Sequence, residues 1–249
     1  MKIGFGLVTY NRQDFFKESI SHVTKDIADH IVVVNDGTPY DSSVYPDFVH
    51  LIQHETNKCV GVSKNDALKY LMEKGCDHLF LMEDDIILKD PTVIQKYIKL
   101  AELTGIHHYN FGFHGPANLK NGKPNPKFII NGYSEDVNLA LNHHCVGAFA
   151  YFSRDIIETV GYMDERYNNC WEHPDHTYRI IKERLHPPFW FFTDLADSYK
   201  YLGEIKSSEE DSTIRENHPS FYNWRTGRWK GNEDRLSFGI RFKFVRSDQ

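Results

Sequence analysis

The sequence predicts a single α/β domain with a mostly parallel central sheet, flanked by helices and followed by a C-terminal extension. Short apolar runs alternate with amphipathic stretches through the first 104 residues. This alternation is typical of parallel strands joined by covering helices. The length of 249 residues suits one large domain, and no linker-like segment divides it.

The first half of the chain carries the clearest pattern. The predicted strands are residues 2–9, 31–34, 48–52 and 78–82. The predicted helices cover residues 13–25, 64–74 and 91–103, with apolar side chains at helical spacing. Ligands of such sheets bind beyond the carboxyl ends of the strands, so we expect the loops after these strands to form a site.

The second half is less regular. Strands are predicted at residues 109–113, 146–152 and 189–193, and helices at residues 154–160 and 175–184. Residues 115–127 are rich in Pro, Asn and Gly, which predicts a loop or hairpin.

Three consecutive acids, Glu83, Asp84 and Asp85, follow the buried strand at residues 78–82. Adjacent carboxylates repel one another, so we expect a cation beside them. Oxygen ligands in this setting suit Mg²⁺ or Mn²⁺ shared with substrate phosphates. The alternative, acids favoured by a helix N-terminus, explains Asp90 but not the triplet.

Composition and motifs disfavour several other classes. The net charge is −6 and no long basic block occurs, so general nucleic-acid binding is not expected. Neither a Gly-x-Gly-x-x-Gly fingerprint nor a Walker loop is present. Four widely spaced cysteines and the lack of a long apolar run predict a cytoplasmic protein without a transmembrane segment, with a peripheral position at the inner membrane face as the alternative.

Four segments, each at a predicted strand end or helix start, resemble the donor site of glycosyltransferases with the GT-A fold, of the inverting, nucleotide-sugar-dependent family 2 type. The segments are Thr9-Tyr10-Asn11-Arg12, Asn35-Asp36-Gly37-Thr38, Gly61-Val62-Ser63-Lys64-Asn65 and Glu83-Asp84-Asp85. The resemblance covers roughly residues 1–200. The alternatives are a plain turn at residues 35–37 and an exposed helical turn at residues 64–65.

The resemblance implies a UDP-sugar donor. Its donor-binding residues would be Thr9, Tyr10, Arg12, Asp36, Lys64, Asn65 and Asp84. The base would stack near Tyr10 and donate a uracil N–H to Asp36, while Asp84 would lie near the ribose. Lys64 would approach the diphosphate as a point charge, where the family more often has Arg.

The resemblance also implies a metal cofactor, Mn²⁺ or Mg²⁺. Asp85 would bind it with help from Glu83 or Asp84. In many GT-A enzymes a C-terminal His completes the metal site, and His218 is the candidate here.

The segment Trp171-Glu172-His173-Pro174-Asp175-His176-Thr177-Tyr178-Arg179 resembles the family's Glu-Asp-x-Asp-x-x-x-Arg element. Aligned on Arg179, it places His173 where the family has its catalytic Asp. An inverting transferase needs one group to take the proton of the acceptor hydroxyl. Asp175, Glu172 and His173 are the candidates, and the two carboxylates rank first. The three residues are expected in a loop that leads into the predicted helix.

Together these features predict a metal-dependent, inverting glycosyltransferase that moves a sugar from a UDP-sugar to a saccharide or other hydroxyl acceptor, in glycan or polysaccharide synthesis. Residues 1–104 would bind nucleotide-sugar and metal, residues 105–204 acceptor, and residues 205–249 would form a lid and tail. A non-catalytic nucleotide-sugar or carbohydrate-binding protein on the same fold is the alternative. A sugar nucleotidyltransferase ranks lower, because residues 9–12 lack a Gly-rich basic loop.

Overall fold

A computed structural model describes residues 1–167, 171–188 and 191–205. The strands are β1 (Ile3–Thr9), β2 (His30–Asn35), β3 (His50–Gln53), β4 (His78–Glu83), β5 (Ile86–Leu88), β6 (His108–Asn110), β7 (Leu119–Lys120), β8 (Lys123–Pro124), β9 (Phe128–Ile130), β10 (Leu139–Asn142), β11 (Phe149–Ser153), β12 (Phe192–Leu195) and β13 (Leu202–Glu204). The α-helices are α1 (Gln13–Ser21), α2 (Val60–Glu73), α3 (Thr92–Thr104), α4 (Arg154–Val160) and α5 (Glu172–Lys182).

The central sheet has six strands in the order β3-β2-β1-β4-β11-β6. The first four run parallel, and β11 runs antiparallel to both of its neighbours. The predicted α/β class with a mostly parallel sheet is therefore confirmed. A smaller sheet, β12-β10-β9, belongs to the second half of the chain.

Both faces of the central sheet are buried, which explains the unbroken apolar runs in its strands. Side chains alternate between two cores, as the two-residue period of a strand requires. Phe5, Phe80 and Met82 face one core, whereas Leu79 and Leu81 face the other.

Several elements differ from the prediction. The first helix ends at Ser21, earlier than expected, and β9, β10 and β13 were not predicted. These three strands have only three or four residues each, too short for a clear period-2 signal. The last helix begins at Glu172, not Asp175, so the predicted catalytic loop is the first helical turn.

Strands β1, β2 and β4 end at the same edge of the sheet, at Thr9, Asn35 and Glu83. Strand β13 reaches this edge from the second half of the chain, because it pairs with β5 and the backbone N–H of Ile205 donates to the Asp85 carbonyl at 2.8 Å. The loops that follow these strands can therefore form one site.

None of the helices in the described ranges has the length and apolar character needed to cross a bilayer.

Candidate active site

A pocket opens at the carboxyl ends of β1, β2 and β4, beside the start of α2. It is lined by Val8, Thr9, Tyr10, Arg12, Asp36, Asn57, Cys59, Val60, Ser63, Glu83 and Asp84. The position is the one expected for a ligand of a parallel α/β sheet. Of the predicted donor residues, the structure brings Thr9, Tyr10, Arg12, Asp36 and Asp84 to this pocket.

Asp36 is held rigidly at the pocket wall, with only 3% of its surface exposed. Its Oδ1 accepts from the Lys58 backbone N–H at 2.7 Å and lies 2.7 Å from His54 Nδ1. Its Oδ2 accepts from the Cys59 N–H at 2.8 Å. Cys59 has a φ of +76°, a strained conformation that aims its N–H at the carboxylate.

The loop after β1 is fixed against the turn after β2. Asn11, at a φ of +53°, accepts a hydrogen bond from the Thr38 N–H on its Oδ1 at 2.8 Å. A Cβ at Gly37 would lie 2.9 Å from the Asn11 backbone nitrogen, so this close approach requires glycine. Tyr10 remains 37% exposed at the pocket rim.

Asp84 is fully buried at the floor of the pocket. It accepts from Thr9 Oγ1 at 2.6 Å and pairs with the Arg12 guanidinium. Burial raises the pKa of Asp84 to about 7, although Arg12 and Thr9 oppose the shift. Tyr40 joins the network, because its hydroxyl lies 2.9 Å from Thr9 Oγ1 and accepts from the Arg12 N–H at 2.9 Å.

Asp85 differs from its neighbour in having an unused oxygen. Its Oδ1 is buried and has no hydrogen-bond partner, while Oδ2 lies 3.5 Å from Arg12 Nη1 and 3.6 Å from His114 Nε2. Burial acts to raise the pKa of Asp85, but His114 and Arg12 lower it overall. Asp85 is therefore an anion with one buried acceptor oxygen that has no hydrogen-bond partner.

This free oxygen fits a divalent cation, but the predicted ligand set needs correction. Glu83 is 2.6 Å from the Lys64 ammonium, so its carboxylate is already paired. His218 lies outside the described residues. Within the ranges described, no three His, Cys, Asp or Glu side chains enclose a metal position by themselves. Any cation at Asp85 would need oxygens from a bound phosphate or water.

Lys64 and Asn65 do not line the pocket, contrary to the expectation that they contact the donor. Lys64 is 1% exposed, and its ammonium lies 2.6 Å from Glu83 and 2.8 Å from Glu172. Asn65 donates to the Met163 carbonyl at 2.9 Å and accepts from the Met163 N–H at 2.9 Å. Their face of α2 turns toward the second half of the chain, so the alternative of an exposed helical turn is also wrong.

The three candidate bases occupy the first turn of α5 with unequal access. Glu172 is 3% exposed and is paired with Lys64, and this buried pair keeps the pKa of Glu172 low despite burial. Asp175 is 1% exposed and accepts from Arg179 Nε at 3.1 Å and from the Tyr167 hydroxyl at 3.4 Å. The His173 side chain keeps 24% of its surface and lies 3.2 Å from Glu172 Oε1.

Several residues of this region were missed at the level of sequence. They are Tyr40, His54, Cys59, His114 and Glu204. Their positions depend on contacts between segments far apart in the chain, and only Tyr40 and Cys59 lie close to a recognised motif. No local pattern of residue types could have identified them.

No protein-family model and no curated protein matches this sequence. Among solved structures, the chain is similar to S. aureus TarS, with 16% identity, a TM-score of 0.51 and coverage of 72% of this chain and 33% of that one. A structure of TarS residues 1–349 in complex with UDP-GlcNAc gives 15% identity, a TM-score of 0.51 and coverage of 72% and 53%. The chain thus spans between a third and about half of these TarS chains.

The catalytic domain of Drosophila β1,4-galactosyltransferase 7, in complex with xylobiose, is similar over a larger share of both molecules. The identity is 14%, the TM-score 0.51, and the coverage 86% of this chain and 76% of that domain. At these identities the similarity shows the fold and does not single out family 2. The described chain has the GT-A-like fold of glycosyltransferases.

Proposed function

We propose that this protein is a hexosyltransferase that moves a sugar from a UDP-sugar to an acceptor hydroxyl in glycan or polysaccharide synthesis. The observation that carries the proposal is the pocket at the ends of β1, β2 and β4. On a GT-A-like fold, that pocket combines a fixed carboxylate, Asp36, with the buried Asp84 that follows β4.

The pocket offers a distinct contact for each part of the donor. Tyr10 provides an exposed ring at the rim for stacking on the base. Asp36 Oδ2 accepts one hydrogen bond, from Cys59, and retains acceptor capacity for a uracil N–H. The N-terminus of α2 faces the pocket at Val60, and its free backbone N–H groups and dipole favour a diphosphate.

Asp85 would hold the divalent cation through its unused Oδ1. When bound, that cation would supply Lewis-acid stabilisation of the charge that develops on the departing UDP. Arg12 keeps Asp84 and Asp85 oriented, because its guanidinium pairs with both carboxylates. Thr9 fixes the other side of Asp84 by its hydroxyl hydrogen bond.

The acceptor proton passes to His173 in this proposal. Of the three candidates on α5, His173 keeps the largest exposed fraction, and the other two are buried in ion pairs. Glu172 lies within 3.2 Å of His173 Nδ1 and orients the ring, which leaves Nε2 to take the proton. Attack from the side opposite UDP inverts the anomeric carbon.

The test is a screen of UDP-sugars by thermal shift with Mn²⁺ or with EDTA, followed by measurement of UDP release with candidate acceptors. We expect one UDP-sugar to raise the melting temperature with metal and to release UDP. The matched variants are Asp36→Asn, which should weaken nucleotide binding, and exposed Asp41→Asn, which should not. Absence of any nucleotide-dependent stabilisation in the wild-type protein would overturn the proposal.

A second function, nucleotide-sugar binding without transfer, is favoured by one specific observation. Both carboxylates of the α5 turn, Glu172 and Asp175, are buried and paired, and neither is poised to take a proton. Turnover decides between the two functions. UDP-sugar binding with neither transfer nor hydrolysis, for any acceptor in a broad glycan panel, would favour the binding protein.

A further inference from the structure

Three segments that are distant in the sequence converge beside the pocket floor. Asp85 follows β4, His114 lies four residues after the end of β6, and Glu204 ends β13. The pairing of β13 with β5 sets Glu204 opposite Ile86, next to Asp85. His114 Nε2 lies 3.6 Å from Asp85 Oδ2 and 3.6 Å from Glu204 Oε2.

Two ligand atoms in this cluster are buried without a hydrogen-bond partner. They are Asp85 Oδ1 and His114 Nε2. The 3.6 Å separation from His114 Nε2 is measured to Asp85 Oδ2, the second oxygen of the carboxylate that carries Oδ1. It is too long for a hydrogen bond, whereas two atoms bound to one small divalent cation lie about 3 to 4 Å apart. Buried polar atoms without partners are costly in free energy, so a missing partner at this position accounts for both of them.

The charges around the cluster are also unbalanced. Five carboxylates, those of Glu83, Asp84, Asp85, Glu172 and Glu204, meet two permanent cations, Lys64 and Arg12. Lys64 is occupied by Glu83 and Glu172, and Arg12 pairs chiefly with Asp84. The negative excess therefore lies on the side of Asp85 and Glu204, where His114 is placed.

We propose that His114 and Asp85 are the two protein ligands of the divalent cation that the proposed function places at Asp85. Glu204 is placed to orient the loop that carries His114, since its Oε2 also accepts a hydrogen bond from the Gly115 N–H at 2.9 Å. The remaining positions on the cation are left to diphosphate oxygens and water. An imidazole nitrogen favours Mn²⁺ over Mg²⁺, which prefers oxygen ligands, so the site is selective for Mn²⁺.

This inference rests on the proposed function, but it can be tested without turnover. Mn²⁺ is titrated into wild type, His114→Gln and the control His144→Gln, with and without UDP, and free Mn²⁺ is followed by electron paramagnetic resonance. His144 is exposed and lies on a different loop. We expect His114→Gln to weaken Mn²⁺ binding by about 10-fold or more, to reduce the preference for Mn²⁺ over Mg²⁺, and His144→Gln to match wild type.

Pulsed electron paramagnetic resonance supplies a signature that a merely structural role would not produce. Wild type loaded with Mn²⁺ and UDP should show coupling of the metal to an imidazole nitrogen, and His114→Gln should lack it. Circular dichroism of the variants without metal checks that they fold. If His114→Gln does not fold, the same measurements on His114→Asn, together with the wild-type spectrum, decide whether His114 binds the metal.

Three results would overturn the assignment. These are wild-type Mn²⁺ without imidazole coupling, coupling that persists in a folded variant at position 114, and Mn²⁺ affinity unchanged in that variant. If the donor bound equally tightly in EDTA, the assignment of His114 and Asp85 as cation ligands would also be wrong, but the proposed function would stand. A wild-type protein that binds no nucleotide would overturn the proposed function, and the titration with Mn²⁺ alone would still decide the role of His114.

Discussion

The ammonium of Lys64 on α2 lies 2.8 Å from the carboxylate of Glu172 on α5, a residue 108 positions later in the chain. The same ammonium lies 2.6 Å from Glu83 at the end of β4. Burial acts to lower the pKa of Lys64, but the two carboxylates raise it, so the lysine stays charged. One buried cation therefore connects the acid triplet with the turn that carries the candidate bases.

Replacement of Lys64 by Met should cost about 3 to 5 kcal/mol of unfolding free energy, because it leaves the buried Glu172 and the half-buried Glu83 without their cation. Urea denaturation measures the change. Lys69→Met is the matched control, since Lys69 is on the same helix but its ion pairs are exposed, and it should lose less than about 1 kcal/mol. Equal losses in the two variants would contradict the central role of Lys64.

Gly147→Ala should lower turnover and spare donor binding. A Cβ at position 147 would lie 2.5 Å from His173 Nδ1, so the ring must move away from Glu172. We expect a fall of about 10-fold or more in kcat with an unchanged Kd for UDP. Gly122→Ala, in a hairpin turn with open space around it, is the control for added volume. Full activity in Gly147→Ala would reject His173 as the base.

Three buried histidines should each weaken the fold as the pH falls below neutral. His108 and His176 pack against Phe152, and His186 packs against His108. Burial lowers the pKa of His108 to about 4 and those of His176 and His186 to about 3. An unfolded histidine titrates near 6.5, so the unfolded chain binds up to three more protons between pH 6.5 and 4. The stability these groups contribute is present above pH 6.5 and is lost as the pH falls.

On their own, these three groups should remove about 3 to 4 kcal/mol between pH 7 and pH 5.5. Asp84 and Asp194 oppose this loss, because burial raises the pKa of each carboxyl to about 7 and the folded state therefore takes up protons over the same range. Urea denaturation of the metal-free protein across this range gives the slope. His176→Asn should make the slope shallower, whereas replacement of exposed His22 by Asn should leave it unchanged. The same slope in wild type and in His176→Asn would show that this buried ring does not stay neutral.

Gly37→Ala should weaken UDP binding without a large loss of stability. The added methyl group would meet Asn11, whose hydrogen bond to Thr38 holds the loop that carries Tyr10 and Arg12. We expect the Kd for UDP to rise by about 10-fold, measured by calorimetry. Gly75→Ala is the control, because Gly75 is remote from the pocket and the added methyl group is strained only by the φ of +74°. It should leave the Kd for UDP unchanged, which distinguishes strain of the backbone from distortion of the pocket.

The sequence identified most of the sheet because its long strands are buried on both faces and bounded by turn residues. It located the pocket for the same reason, since Thr9 ends one of those strands and Asp36 and Asp84 each follow another. It failed at Lys64, whose surroundings come from β4 and α5 and not from its own helix. It also failed at His114, because nothing near that residue in the chain indicates Asp85 or Glu204 as neighbours.

The order of preference among the three candidate bases also could not be predicted from the local sequence. Glu172, His173 and Asp175 are all chemically able to take a proton, and only burial separates them. The two carboxylates are buried because α5 begins at Glu172. Neither Pro174 nor the residues before it predicted that early start.

The insertion of β11 between β4 and β6 has a practical consequence for dissecting the molecule. If residues 1–104 were expressed as a separate fragment, the outer edge of β4 would lose its hydrogen-bonding neighbour and Phe80 and Leu81 their cover. Such an open, apolar edge promotes association between copies. We expect the fragment to be insoluble alone and to be recovered in soluble form only when the remainder of the polypeptide is co-expressed with it.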